Sequence, residues 1–145
     1  MNDWVFPNFS NLPTFGPINQ PNNTEPEYKK ISREFCQYYH QLCDSNFPVL
    51  FQLYSTNPKI TYFQKEYNNF DSLMEYIKKE GIFKFHHTSV SHQSQPLNKN
   101  SILIHITGKI SINNNIEYKT FSETIIIKKD TWNKYYITNS IFNIF

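Results

Sequence analysis

Histidines and carboxylates are the side chains with the most chemistry to offer in this sequence. There are five histidines. His86, His87 and His92 fall in one stretch of alternating polarity and His105 in the next. A metal centre needs several ligands converging on one point. His86 and His92 share a strand face, but six residues along a strand span ~20 Å. No Asp or Glu lies near them in sequence to complete a ligand set. They read as surface or sheet-packing histidines, and no metal is expected.

Acid–base catalysis needs a matched pair of titratable groups facing a cavity. The strand segments offer only Glu117 and Glu123 as acids. Six residues apart on one strand, they share a face but cannot act as a pair, and each is expected beside a lysine of a neighbouring strand. Three glycines leave no phosphate-binding loop, and no nucleophile elbow is present. Residue types thus argue against an enzyme, with neither a catalytic residue nor a cofactor expected. Cys36 and Cys43 lie seven apart on a predicted helix, ~10 Å of rise, too far for a disulfide. They read as buried thiols of a reducing compartment. No signal-peptide pattern is expected to be at work, so the sequons at Asn8 and Asn22 are expected to stay unused. A net charge of +2 with scattered lysines excludes a phosphate-tracking surface, so no direct nucleic-acid binding is expected. No apolar stretch approaches membrane-spanning length.

The elements that must position these groups follow from periodicity. Residues 1–23 form a Pro- and Asn-rich tail that still carries Trp4, Phe6, Phe9, Leu12, Phe15 and Ile18. A domain is expected over 24–145. Thr24-Glu25-Pro26-Glu27 reads as a capping box, followed by an apolar stripe at Tyr28, Ile31, Phe35, Tyr38, Tyr39 and Leu42. A short helix with Pro48 in its first turn follows. Asn57-Pro58 reads as a break, Ile60–Phe63 as a short strand with Glu66-Tyr67 as its partner. A third helix runs from Phe70 to Glu80, capped by Asn69 and stopped by Gly81. The period then changes to two. Lys84–Gln95, Ser101–Ile112, Ile116–Lys128 and Tyr135–Phe145 are expected strands, with a turn at Asn113-Asn114-Asn115. Helices followed by a long meander predict an α+β domain. The outer sheet face keeps enough Ile, Phe and Tyr to call for a cover.

Six stretches, "EFCQYYHQLCDSN", "LFQLYSTNPKITYF", "SHQSQP", "HITGKISINNN", "FSETIIIKK" and "YYITNSIF", follow in the order and spacing of one known family. The chain resembles the nuclear transport factor 2 family from about residue 27 to 145. The resemblance implies a cone-shaped α+β barrel, three N-terminal helices packed on a strongly bent antiparallel sheet, that dimerises through its outer face. It implies a non-catalytic adaptor of nucleocytoplasmic traffic, found in cytoplasm and nucleus and at the nuclear envelope, that binds Phe-Gly nucleoporins or Phe-Gly peptides. In the importer branch, an exposed aromatic implicated in gripping Phe-Gly repeats falls on Tyr28. That branch's Ran-contacting acids fall on Phe63, Asn113 and Asn115. None is acidic here, so charge pairing with Ran-GDP is not carried over.

"VLFQLY" and "DSLMEYI" resemble the mRNA-export cofactor branch, which forms a heterodimer with a larger partner. An acid used across that interface falls near Gln93, where it is not reproduced. "REF" and "GKISINNN" resemble the stress-granule scaffold branch. Its peptide groove falls on Phe35, Leu53 and Phe142. An isomerase or dehydratase using the cone interior is the remaining possibility within the fold. Against this background the tail's "LPTFGP" reads as a Phe-Gly ligand. Phe15 would fill a pocket, Gly16 would allow close backbone approach, and Pro13 and Pro17 would hold the peptide extended.

Overall fold

The computed structural model describes residues 25–145, so the tail, with Phe15, Gly16 and both sequons, lies outside the described residues. Helix α1 spans Glu27–Ser45. Its buried stripe is Ile31, Phe35, Cys36, Tyr39, His40 and Cys43, with Tyr28, Tyr38 and Leu42 half-buried beside it. Both cysteines are free and buried. The cap of the expected capping box, Thr24, lies outside the described residues. Pro26 is the N-cap, at φ −56° and ψ 143°, and no side chain caps the helix. The reason is steric: the residue before a proline is pushed out of the helical region, so Glu25 cannot start the helix. The Glu25 carboxylate accepts instead from the Arg33 guanidinium.

Chain reversal after Asn46 leads into a 3₁₀ helix, Phe47–Leu53, which buries Leu50 and Leu53. Strand β1 then runs over Tyr54–Tyr62, longer than expected. Asn57-Pro58 does not break it. The residues are absorbed as an irregularity in its pairing, between Tyr54 and Lys59. Phe63 and Gln64, both at positive φ, make a two-residue turn into β2, Lys65–Tyr67. Helix α2, Phe70–Lys79, begins where the Asn69 side chain accepts from the Ser72 N–H at 2.8 Å. It ends at Gly81, at φ 72°.

Four long strands follow: β3 (Phe85–Asn98), β4 (Ser101–Ile112), β5 (Lys119–Lys129) and β6 (Tyr135–Ile144). The β4–β5 turn places Asn113 and Asn114 at positive φ, as their type predicts. Strand β5 starts three residues later than expected. Asn115 accounts for this: its carbonyl accepts from the Ser111 hydroxyl and its side chain from the Glu117 N–H. These local bonds compete with the ladder and leave Ile116 exposed.

The six strands form one curved sheet in the order β2-β1-β6-β5-β4-β3. Its pairings are antiparallel except β1 with β6, which is parallel. The concave face carries Ile102, Ile104, Ile106, Ile110, Phe121, Ile125, Ile127, Ile137 and Phe142, all buried with the helix residues in one core. Gly108 is required where β3 bulges over β4. A β-carbon there would stand 2.9 Å from the Phe121 ring and 3.1 Å from the Thr88 and Ser89 carbonyls. Most of the Ile, Phe and Tyr expected outside thus point inward. The outer face keeps Leu103 beside Ile126, and Ile141 beside Thr124, among hydroxyls and amides.

Candidate functional site

The deepest polar group in the cone is Glu123. Alternation along β5 puts it on the same face as Phe121, Ile125 and Ile127, and it is 1% exposed. The expected lysine partners are therefore absent: Glu123 faces the core, and Glu117 lies outside the strand. What reaches Glu123 comes from α1. The Tyr39 hydroxyl donates to its carboxylate at 2.6 Å. His40, one residue on, places Nε2 3.9 Å from the other carboxylate oxygen, too far for a hydrogen bond.

Burial decides the charge states. It pushes the Glu123 carboxyl up to about 7, against the lowering effect of the Tyr39 hydrogen bond. It pushes His40 down to about 3, reinforced by the neighbouring His87. At neutral pH His40 is an uncharged ring, and its contact with Glu123 is not an ion pair.

His87 completes the cluster. Its ring lies 4.7 Å from that of His40, and its Nδ1 is 2.6 Å from Asp44 Oδ1. The Asp44 carboxylate also accepts from the His87 backbone N–H at 2.9 Å. No acid near these histidines was expected because Asp44 lies 43 residues away in sequence; the packing of α1 on β3 brings it in. His86 instead meets the Tyr118 hydroxyl, and His105 the Thr124 hydroxyl at 3.1 Å. Among the described residues no three His, Cys, Asp or Glu converge to hold a metal.

Carboxyl, phenol and imidazole are the parts of an acid–base site, but here they have no substrate space. Cys43, Phe47, Tyr62, Phe85, Ile110 and Phe142 close around Glu123 and His87, and the gap between them admits no water-sized sphere. The expected groove residues belong to this same interior. Phe35 is 0% exposed and Leu53 and Phe142 are each 2% exposed. Phe35 stacks on Tyr39, whereas Phe142 stacks on Tyr62 at 4.7 Å and meets Phe121. Tyr28 is half-buried near the start of α1.

Open space lies instead at the cone's mouth. Phe63, Ile112, Asn113, Asn115 and Ile144 border a pocket of about 600 Å³, with Glu117 and Lys119 beside them. Phe63 and the Asn113–Asn115 turn, far apart in sequence, thus share one pocket, and Glu117 supplies it with a carboxylate. Sequence reading missed that role because it placed Glu117 inside β5.

The profile of the nuclear transport factor 2 (NTF2) domain matches residues 31–144. The chain belongs to the nuclear transport factor 2 domain family. It is 25% identical over 119 residues to nuclear transport factor 2 of Debaryomyces hansenii, covering 81% of this chain and 95% of that protein. The fold of this NTF2 domain is similar to nuclear transport factor 2 from Cryptosporidium parvum, with a TM-score of 0.74 at 19% identity over 85% of this chain and 98% of that one. It is also similar to the yeast UBP3-associated protein BRE5, with a TM-score of 0.65 at 17% identity over 83% and 98% of the two chains. Transport factors and a partner-binding cofactor thus share the architecture described above. Tyr28 and the tail precede the matched span.

Proposed function

We propose that this NTF2 domain is a non-catalytic adaptor of nucleocytoplasmic transport. It works in the cytoplasm and nucleus, pairs through the outer face of its sheet, and grips Phe-Gly motifs of nucleoporins. One observation carries the reading against a small-molecule enzyme of the same fold: the cone interior is filled to the exclusion of water around Glu123. With no substrate space beside this buried carboxylate, the surface is left to act. Its relatives along nearly their whole length are named as transport factors. Ran-GDP is not assigned as cargo, because Phe63, Asn113 and Asn115 carry no charge and Glu117 is the mouth pocket's one carboxylate among the described residues.

Tyr28 is the accessible member of the expected Phe-Gly site, since Phe35, Leu53 and Phe142 are closed into the core. The tail's Phe15-Gly16 would serve as an internal competitor for the surface around Tyr28, raised to ~mM effective concentration by its tether. Retention on immobilised Phe-Gly repeats tests both ideas. The intact protein is expected to be retained, Tyr28→Ala to elute early, and removal of residues 1–23 to increase retention. Passage of all three without delay would refute the reading. A second reading, a scaffold-type peptide-binding module, draws support from the likeness to BRE5, itself named as UBP3-associated. It predicts binding to isolated Phe-Gly-acid peptides but not to repeats.

A further inference from the structure

Among the described residues strand β3 is an edge of the sheet, paired only with β4. A row of backbone donors and acceptors therefore faces away from β4. Two features interrupt that row. The pairing slips between Thr88 and Ser91, and Pro96 removes a donor. Between them Ser91 to Gln95 pair in unbroken register with Thr107 to Leu103. This leaves one regular window of about five residues, ~17 Å long.

A groove of about 680 Å³ follows this window. His92 and Ser94, which pair with the buried Ile106 and Ile104, line it on the helix side. Gln93 and Gln95, which pair with His105 and Leu103, line it on the outer side. Leu103 and His105 of β4 extend it onto the outer sheet face, so the space borders both faces of β3 and passes that strand's edge. Above it stand Lys29 and Arg33, with Glu25 the groove's one acid among the described residues. Glu25 is already engaged by Arg33 in a pair whose side chains are 40% and 46% exposed. Such a pair is worth little, so an incoming carboxylate can replace it.

We propose that this window takes an acidic, extended peptide of another protein as an added strand. Its backbone would pair with Ser91–Gln95, and its carboxylates would face Lys29 and Arg33. Strand addition supplies affinity through the main chain while alternate side chains supply specificity. Here the specificity is for negative charge on the helix side and for polar groups over the two glutamines. The proposal rests on the edge and the charge of this window and does not depend on the transport reading.

A fluorescein-labelled Thr-Glu-Val-Glu-Thr-Glu peptide, its lysine-for-glutamate counterpart, and the acidic peptide N-methylated at alternate amides are the probes. Anisotropy at low ionic strength measures binding, and amide shift mapping locates it. The acidic peptide is expected to bind and to shift the amides of residues 91–95. The lysine peptide is expected not to bind, and N-methylation to abolish binding by removing the peptide's pairing donors. The exposed double substitution K29E/R33E is expected to weaken binding by at least ~tenfold. N-methylation leaves the protein untouched, so its effect cannot be ascribed to misfolding. No binding, binding indifferent to N-methylation, or shifts confined to other residues each overturn the proposal.

Discussion

Glu123 and His40 make opposite demands on pH from within one cluster. The folded carboxyl titrates at about 7 instead of its ordinary 4.5. Its contribution to stability is complete below about 4.5 and is lost as pH rises through 7. The folded imidazole titrates at about 3 instead of 6.5. Its contribution is present above 6.5 and is lost as pH falls toward 3. Glu123→Gln keeps an acceptor for Tyr39 and removes only the first dependence. Between pH 5 and 7.5 the variant should therefore gain on the parent protein by a few kcal/mol, ~3 at the upper end. Chemical denaturation across that range checks it, and parallel curves for the two proteins would show that Glu123 carries no such penalty. One member of this cluster could have been read from the sequence. The spacing of Phe121, Glu123, Ile125 and Ile127 puts the acid on an apolar face, and that parity is a stronger cue than the charge of neighbouring strands. The approach of Asp44 to His87 was not legible, because no local pattern reports a contact between a helix end and a strand 43 residues away.

The two long helices start in different ways, and their sensitivity should differ accordingly. Helix α2 depends on Asn69, whose side chain satisfies the Ser72 N–H. Asn69→Ala should cost about 1 kcal/mol, read as a lowered midpoint in thermal unfolding; an unchanged midpoint would mean that water replaces the cap at no cost. Element types could be read from sequence because period and turn chemistry agree: the Asn113-Asn114 reversal and the Gly81 stop stand where their backbone preferences put them. Boundaries failed where a local bond outranked the period. Pro26 delays α1, Asn115 delays β5, and the Asn57-Pro58 pair bends a strand that it was expected to end. The parallel union of β1 with β6 had no local signature, since register between distant strands is set by the whole face they bury.

At the scale of the whole molecule, the proposed pairing through the outer sheet face can be tested by the state of association. Leu103, Ile126 and Ile141 lie on adjacent strands there, and Ile141 is half-exposed. A homodimer through this face should sediment near twice 17.4 kDa at micromolar concentration, and Ile126→Lys should return it to one chain's mass. A parent protein that sediments as a single chain would exclude the homodimer and direct the search to a heterodimer with a larger NTF2-domain partner. The fold was legible at this scale because many weak motifs in fixed order constrain one another. The groove on Phe35, Leu53 and Phe142 was less so. Apolar residues are the currency of both a binding groove and a core, and only packing tells which use is made of them.

The place of β6 has a further bearing on how the protein comes into being. It is the last strand of the domain to leave the ribosome, yet it lies between β1 and β5 near the sheet's middle. Until it arrives, β1 and its hairpin partner have no sheet to join, and the apolar faces of Phe121, Ile125 and Ile127 lack the strand that lies beside them. A nascent chain stopped short of Tyr135 therefore presents two unpaired edges and an open core. Closure of the domain therefore waits on its last strand, and a product truncated before that strand is exposed to chaperones and proteases from the start.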